Sequence, residues 1–277
     1  MTTKKELEAK VQQLSEELEA LNQGAKMIDI IYPNVSEFAQ WEELKYSIRS
    51  LEKNLVDVKF RLWIVGDKPS WINDQVRHIP VEYTEATPRI DILNKHLAVI
   101  NHPDINEEYV WMNDDIYLVN KVMYADLCLT VAIDDMQSKR SMYNEQTVWG
   151  RDNLRTLNLL QQEGLSTHNY AAHIPHLFEK SKVKSLIEKY NMLEDPIVLT
   201  QIYYNYWFNG FTPYFDSLDL KNNQGFCINR PNPNWKAFDQ QIKVKKYLNN
   251  SEAGMTEELK IRIRKLFPKQ SKFEKPE

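Results

Sequence analysis

The segment Glu108-Tyr-Val-Trp-Met-Asn-Asp-Asp115 joins a short apolar run to two adjacent carboxylates. An apolar run of this length, bounded by polar residues, predicts a buried β-strand over 108–112. In open α/β sheets, ligands bind just outside the carboxyl ends of the strands. The segment therefore predicts a strand of an α/β sheet with a polar site directly after it.

The chain before this segment alternates between strand and helix patterns. Apolar runs predict strands over 27–32 and 59–65. Apolar residues at helical spacing predict a helix after each of these strands: Leu44, Ile48, Leu51 and Leu55 mark the first, and Ile90, Leu93, Leu97 and Ile100 the second. This alternation predicts βαβ units and a mostly parallel sheet. Further helices are predicted around 147–162, 180–190, 197–208 and 256–266.

The N-terminal segment has a different pattern from the rest of the chain. Its apolar residues follow the a and d positions of about three heptads: Leu7, Val11, Leu14, Leu18 and Leu21. We therefore predict a coiled-coil helix over 1–24, followed by one domain over 25–277. So narrow an apolar stripe favours a homo-oligomer through this helix, with docking onto its own domain as the alternative.

Composition excludes several classes of protein. Apolar residues make up 42% and charged residues 27%, as in ordinary globular proteins. There are only seven glycines, and neither G-x-x-x-x-G-K-[ST] nor G-x-G-x-x-G occurs. Cys128 and Cys227 lie in short apolar stretches, which favours buried free thiols over a disulfide or a metal site. With a charged N-terminus and no run of transmembrane length, we expect a cytoplasmic protein.

Charge is spread unevenly along the chain. The net charge is −4, yet the section 236–275 contains eleven Lys or Arg and five Asp or Glu. Such a basic section could contact a peripheral membrane surface or a polyanion. A solvated helix surface is the alternative.

Asp114 and Asp115 are the first candidate site residues. Two adjacent carboxylates raise the pKa of one of them unless a cation is present. A Mg²⁺ or Mn²⁺ ion that bridges to a nucleotide diphosphate would supply that cation, since hard cations bind carboxylate and phosphate oxygens together. On its own, the pair could equally be a helix cap or a surface turn.

The second candidate is the segment His173-Ile-Pro-His176. A histidine beside a diphosphate could act as general base on an acceptor hydroxyl or stabilise charge on phosphate. A structural pair of histidines and a zinc site are the alternatives, although Pro175 and the lack of a clear third ligand weaken the zinc site.

A third candidate lies on the predicted second helix. Asp91 and Lys95 are one helical turn apart, which is the spacing of a simple ion pair. Alternatively, Arg89 or Lys95 could reach a donor phosphate, because this helix precedes the strand that ends at Asp114.

Together these residues resemble the Stealth family of sugar-phosphate transferases, which make capsule and cell-wall polysaccharides in bacteria and include the lysosomal-enzyme phosphotransferase of animals. The resemblance follows the order of that family's four blocks. The similar stretches are Ile28–Tyr32, Glu43–Lys53, Leu62–Asn73, Tyr109–Leu118, His173–His176, Gly225–Asn229 and Leu266–Glu274.

The resemblance implies a GT-A-like nucleotide-diphospho-sugar transferase fold, a divalent metal (Mn or Mg) and a nucleotide-sugar donor such as a UDP-hexose. The family reaction transfers hexose-1-phosphate to a hydroxyl of a saccharide acceptor and releases the nucleoside monophosphate. Carried over to this chain, Asp114 and Asp115 would bind the metal, and His173 and Asp115 would be catalytic. Asn229 would lie near the site. Together with the candidates above, we expect the donor to be bound by Asp29, Arg89, Asp91, Lys95, Asn113 and Asn229.

The chain departs from the family pattern at several polar positions. Pro33-Asn-Val35 stands where the family has Trp-Val-Asp, Glu37–Trp41 stands where it has Arg and Asp before the Glu-Leu pair, and Asn229-Arg230 replaces Asn-Asp. A glycosyltransferase that moves the sugar itself to a glycan, or less readily to modified nucleic acid, is therefore an alternative. A non-catalytic assembly subunit that uses the coiled coil is a third hypothesis.

Overall fold

The structure, a computed structural model, describes residues 26–39, 41–84, 87–215 and 224–276. The predicted coiled coil over 1–24 lies outside these residues. The described strands are β1 (Met27–Asn34), β2 (Lys59–Gly66), β3 (Arg77–Ile79), β4 (Glu108–Trp111), β5 (Ile116–Leu118), β6 (Val131–Ala132), β7 (Asp134–Asp135), β8 (His168–Asn169), β9 (His176–Glu179), β10 (Tyr214–Phe215), β11 (Gly225–Ile228) and β12 (Tyr247–Asn250). The described α-helices are α1 (Glu43–Asn54), α2 (Pro88–Asn101), α3 (Tyr124–Leu127), α4 (Val148–Gln162), α5 (Lys180–Lys189), α6 (Leu199–Trp207), α7 (Trp235–Gln241) and α8 (Glu257–Leu266).

The central sheet has the strand order β3-β2-β1-β4-β9. β1 pairs in parallel with β2 along its whole length, from Met27 opposite Lys59 to Asn34 opposite Gly66. β4 is parallel to β1 on the other side, and β9 closes that edge in the antiparallel direction. The predicted α/β class with a mostly parallel central sheet is confirmed.

Alternation along the strands divides the core into two layers, one on each face of the central sheet. Ile31, Trp63 and Trp111 point to the face covered by α2, α4, α5 and α6. Ile30 and Ile64 point to the opposite face, which is covered by α1. Because both faces are covered, these strands are apolar throughout, which explains why the sequence shows continuous apolar runs rather than alternation.

A second, smaller sheet lies beside the carboxyl end of β4. In this sheet β12 pairs in parallel with β11 and in the antiparallel direction with β5. Its own apolar cluster includes Leu248 of β12, Phe238 of α7, and Leu259 and Ile263 of α8. The chain therefore passes from the central sheet to the small sheet in the four residues between β4 and β5.

The C-terminal segment is fixed to α1 by a buried ion pair. Arg49 donates to both oxygens of Glu274, from Nε at 2.6 Å and from Nη2 at 2.7 Å. The Ser271 N–H donates to the same carboxylate at 2.8 Å. These bonds hold the C-terminal segment against α1, which contributes to the apolar cluster of the small sheet.

The two described cysteines are free thiols, as expected, but both are exposed rather than buried. Cys227 lies in β11 between the buried residues Phe226 and Ile228. Because successive side chains of a strand point to opposite faces, Cys227 faces away from the cluster that buries its neighbours. Cys128 is the residue that ends α3, where the side chain lies at the surface.

The basic C-terminal section carries several ion pairs on its surface. Arg262 of α8 bonds to Asp239 at 2.7 Å and to Glu258 at 2.8 Å, and Lys260 bonds to Glu257 at 2.7 Å. Within the described ranges, no helix is long and apolar enough to cross a membrane. The contact of this section with a membrane surface or polyanion stays a prediction.

Replacing Glu274 by glutamine keeps the shape of the side chain but removes the charge that binds Arg49. We expect Glu274→Gln to lower the free energy of unfolding by about 1–3 kcal/mol near neutral pH, since hydrogen bonds to charged groups contribute roughly this much. Urea unfolding measures the loss. Glu188→Gln is a matched control, because the Glu188 side chain is 66% exposed, and it should lie within about 0.5 kcal/mol of the wild type.

The sign of the pH dependence follows from the pKa of Glu274. Burial opposes ionisation, but the bonds from Arg49 and Ser271 outweigh it and hold the pKa of Glu274 below its ordinary value. Such a group contributes stability above its unfolded-state pKa, and this stability is lost as the pH falls through the folded-state pKa. The difference between the wild type and Glu274→Gln should therefore narrow on acidification. A difference that is constant with pH would contradict this account.

Candidate active site

Asp114 and Asp115 lie in the turn that joins the central sheet to the small sheet. The Met112 N–H still bonds to the Ile31 carbonyl of β1 at 2.9 Å, so the central sheet's ladder continues one residue beyond β4. The Ile116 N–H then bonds back to the Asn113 carbonyl at 3.3 Å, and β5 begins there. The two carboxylates thus sit at the carboxyl end of a central strand, as the sequence predicts.

A cavity of about 510 Å³ opens in front of these carboxylates. We call it the acidic cavity because five carboxylate side chains line it, and its lining basic groups are Lys95 and His173. The five are Glu43, Asp91, Asp114, Asp115 and Glu252. An anionic diphosphate would be repelled from such a surface unless a cation entered with it.

Burial and mutual repulsion disfavour the ionised forms of two carboxylates in the acidic cavity. Burial, followed by the neighbouring Asp115 and Glu43 carboxylates, raises the pKa of Asp114 to about 7. Burial also raises the pKa of Glu43, with a smaller contribution from Asp115. Both shifts have the direction expected for carboxylates that are crowded together without a compensating cation.

Several oxygen atoms around the cavity lack a hydrogen-bond donor. Among the described residues, the buried Oδ1 atoms of Asp91, Asp115 and Asn250 accept no hydrogen bond. All three residues line the acidic cavity. Carboxylate and amide oxygens are the ligands that Mg²⁺ and Mn²⁺ prefer, so this donor set fits a hard divalent cation.

The side chains alone do not form a closed metal cage. In the described parts of the chain, no group of three or more His, Cys, Asp or Glu side chains is arranged to hold an ion. Mg²⁺ that binds through one or two carboxylates takes its other ligands from water and phosphates.

His173 borders the same cavity. Its Nε2 atom lies 3.2 Å from Asp115 Oδ1 and 3.0 Å from Asn113 Nδ2. Asp115 Oδ1 accepts no hydrogen bond. Its contact with His173 is therefore described as an ion-pair contact. The backbone is held from the small sheet, where Asn249 Nδ2 donates to the His173 carbonyl at 3.0 Å.

The surroundings of His173 suit a group that gains and loses a proton. Burial lowers its pKa, but Asp115 and then Asp114 outweigh burial, so the pKa is raised above its ordinary value. The amide of Asn113 stabilises the neutral ring by donating to Nε2, and Asp115 stabilises the protonated ring. The same nitrogen atom is thus supported in both protonation states.

His176 does not converge with His173 on a common ligand. Its Nε2 atom is 3.0 Å from the Ala172 carbonyl, and burial lowers its pKa to about 4. As the first residue of β9, it packs against Tyr204. These contacts match the structural role that the sequence left open and give no support to a zinc site.

The predicted pair Asp91 and Lys95 forms on α2. Lys95 Nζ donates to Asp91 Oδ2, and both side chains are almost fully buried beneath the acidic cavity. The ion pair therefore exists, as the spacing suggests, and it also borders the cavity. Lys95 is the lysine among the described residues that line this cavity.

The other predicted donor-binding residues are distributed differently. Arg89 bonds to Asp152 at 3.2 Å and faces a second cavity. Asn229 is exposed just beyond β11 and does not line the acidic cavity.

Asp29 also lies away from the acidic cavity. It is buried in the first half of β1 and is bonded to Arg61 at 2.6 Å and 2.7 Å, to Trp63 Nε1 at 2.7 Å and to the Asn106 N–H at 2.8 Å. These contacts are those of a structural ion pair.

The structure also brings residues to the cavity that sequence reasoning missed. Glu43, Asn250 and Cys227 line it, and Asn249 fixes His173. Glu43 begins one of the stretches that carry the family resemblance, but the resemblance assigns it no role of its own. Two adjacent amides at the end of an apolar strand, Tyr247-Leu-Asn-Asn250, were the available signal for the other side of the site.

Comparison with known proteins gives distant similarities. No family model matches the chain. A curated exopolysaccharide phosphotransferase from Streptomyces coelicolor (strain ATCC BAA-471 / A3(2) / M145) is 30% identical over 105 residues. The matched region is 35% of this chain and 18% of that protein, so the chain spans less than a fifth of its curated relative.

Two solved structures are similar at low identity. The galactosyltransferase LgtC, in complex with donor and acceptor sugar analogs, is 13% identical with a TM-score of 0.49, covering 90% of this chain and 98% of that one. A glycosyltransferase involved in glycosylation of the major capsid of PBCV-1 is 13% identical with a TM-score of 0.40, covering 87% and 98%.

Gly66 is required where β2 ends beside the cavity. Its φ is +109°, and a Cβ atom there would lie 2.1 Å from the Asn34 carbonyl oxygen and 2.9 Å from Lys95 Cε. Gly164 has a φ of +64° and open space around it, so it is a matched control. We expect Gly164→Ala to cost about 1–2 kcal/mol for the backbone alone. Gly66→Ala should cost more because it also displaces β1 or Lys95. Urea unfolding compares the two, and equal losses would contradict the steric argument.

Proposed function

We propose that this chain is a metal-dependent transferase that takes its donor group from a nucleotide sugar and transfers hexose-1-phosphate to a hydroxyl of a saccharide acceptor. One observation carries the proposal. The adjacent carboxylates Asp114 and Asp115 meet His173 at the rim of a ligand-sized cavity at the carboxyl end of a central strand. The Stealth resemblance and the 105-residue similarity to an exopolysaccharide phosphotransferase support the donor class.

The cation would be held by Asp114 and Asp115, and the unpartnered Asn250 oxygen is a further candidate ligand. When bound, a divalent ion supplies charge neutralisation of the diphosphate and of the leaving phosphate. The crowded carboxylates contribute by favouring cation binding, since a cation offsets both the burial and the mutual repulsion that raise the pKa of Asp114.

His173 acts on the acceptor side. Its neutral Nε2 accepts the proton of the acceptor hydroxyl as that oxygen forms a bond to the sugar-linked phosphorus. The bond from this phosphorus to the bridging oxygen breaks, and the nucleoside monophosphate leaves. Asn113 holds the ring before the acceptor binds, the acceptor hydroxyl then replaces the Asn113 amide as the donor to Nε2, and Asp115 stabilises the imidazolium formed.

Lys95 contributes to the donor side as a fixed positive charge. Its Nζ is held by Asp91, and its stem passes below Gly66 at the edge of the cavity. A cation whose geometry is set before the donor arrives loses little entropy on binding, which is the advantage of preorganisation. Arg89 lines the second cavity, so it has no part in donor binding in this proposal.

Transfer of the sugar itself is the second candidate. The departures at Pro33–Val35 and Arg230 remove polar residues that the Stealth pattern has, while Asp114 and Asp115 are kept. Such an enzyme would release the nucleoside diphosphate, because the bond that breaks is then between the sugar carbon and the phosphate oxygen.

The released nucleotide distinguishes these candidates. The purified protein is incubated with UDP- and GDP-sugars, Mn²⁺ or Mg²⁺ and a panel of saccharides, and the nucleotide is identified by mass. We expect nucleoside monophosphate, absent with Asp115→Asn and retained with Asp195→Asn, whose carboxylate is exposed. Nucleoside diphosphate would assign sugar transfer. No release, together with no thermal shift by any donor, would contradict the transferase proposal.

Removing the imidazole tests the role of His173. We expect His173→Ala to lower turnover by about 10²–10⁴-fold, the usual contribution of general acid–base catalysis, with donor affinity unchanged. Initial rates and isothermal titration with a nucleotide sugar measure the two quantities. His102→Ala is the histidine control, since His102 packs against Trp63 outside the acidic cavity. Unchanged turnover in His173→Ala would remove His173 from the mechanism.

A further inference from the structure

A second cavity, of about 320 Å³, is lined by both Asn113 and His173, which are joined by a hydrogen bond. We call it the aromatic cavity because Trp111, Trp149 and Phe178 line it. Its volume falls at the lower end of the range of small-molecule sites, about 300–1,000 Å³.

His173 lines both cavities. Asp114 and Asp115 face the acidic cavity, whereas the preceding residue Asn113 faces the aromatic one. α2 is divided in the same way, with Lys95 on the acidic side and Arg89 on the aromatic side. A proton acceptor placed between two cavities can serve a reaction between their two occupants.

Trp149 stands at the rim of the aromatic cavity with more than half of its surface in solvent. It is 54% exposed, and its contact with the ring of Tyr143, at 5.3 Å between centroids, covers only part of it. The preceding residue Val148 is exposed as well. An exposed indole beside a cavity offers a flat apolar surface, which is a common feature of binding sites for rings.

The aromatic cavity also has polar groups but little net charge. Arg89 Nε bonds to Asp152, which compensates the guanidinium charge and leaves its terminal amino groups without a hydrogen-bond partner among the described residues. His96 and His176 are neutral at physiological pH, because burial lowers their pKa values to about 3 and about 4. The cavity therefore differs sharply from the acidic one, and it fits an uncharged ligand with hydroxyl groups.

We propose that the aromatic cavity is the acceptor subsite, in which a neutral pyranose stacks on Trp149, bonds to Arg89 and directs one hydroxyl to His173 Nε2. This inference rests on the proposed function and adds the place and the chemical class of the acceptor. The nucleotide and its cation occupy the acidic cavity, and the saccharide occupies the aromatic cavity. The hydroxyl proton passes to His173 while its oxygen bonds to the transferred group, and the nucleotide leaves on the acidic side.

The test compares Trp149→Ala with Trp149→Phe. The probes are neutral oligosaccharides of glucose, galactose and N-acetylglucosamine with α and β linkages, and saturation-transfer NMR detects their binding without donor. We expect binding of at least one probe to the wild type. Trp149→Ala should weaken this binding, and raise the KM for the same saccharide in nucleotide release, by about tenfold or more. Trp149→Phe should retain most of the affinity, because a flat ring remains.

Met142→Ala is the control for loss of an exposed apolar side chain, since Met142 is 67% exposed and does not line the cavity. It should leave saccharide binding unchanged. The inference is overturned if no probe binds the wild type, or if Trp149→Ala binds saccharide as tightly as the wild type does. Failure of the proposed function has a different signature, because the wild type would then bind no nucleotide sugar in the presence of Mn²⁺ or Mg²⁺.

Discussion

The crowding of carboxylates at the end of β4 is the constraint on which the candidate site depends. Burying Asp114 beside Asp115 and Glu43 disfavours the ionised folded state, as the pKa of Asp114 near 7 shows. The free-energy cost of burying adjacent carboxylates is tolerated only where the surrounding structure fixes the groups in place. Here β1, α1 and the small sheet supply that fixation, and a bound cation would relieve the repulsion.

Two structural features, an ion pair and a glycine, help to hold the residues of the acidic cavity in place. The Arg49–Glu274 ion pair ties the end of the chain to α1, whose first residue is Glu43. Gly66 allows β1 and β2 to end in register while Lys95 passes close beneath them. The site is therefore supported by contacts that are distant in sequence, and its geometry depends on tertiary packing more than on any local motif.

The sequence predicts the backbone of this protein well because periodicity reports burial. The apolar runs at 27–32 and 59–65 correspond to β1 and β2, and the helix over 147–162 corresponds to α4. The position of Asp114 and Asp115 at the carboxyl end of a strand was predictable for a related reason, since they directly follow such a run. Glu43 and Asn250 were not, because they reach the cavity from a helix start and from a sheet that only the tertiary fold places there. Asp29 is the opposite case. The sequence predicts that it binds the donor, yet its carboxylate lies in a core strand and is bonded to Arg61 and Trp63.

One hydrogen bond links the two sheets at the place where the proposed chemistry occurs. The carboxylates belong to the turn that leaves the central sheet, whereas the backbone of His173 is held by Asn249 of β12. His173 also lies just before β9, so the separation between base and carboxylate depends both on the pairing of β9 with β4 and on how Leu248 and the rest of β12 pack against α8. Substitutions in that apolar layer, far from any polar group, would change the distance between His173 and the two carboxylates. The packing of the small sheet therefore helps to align the two parts of the site.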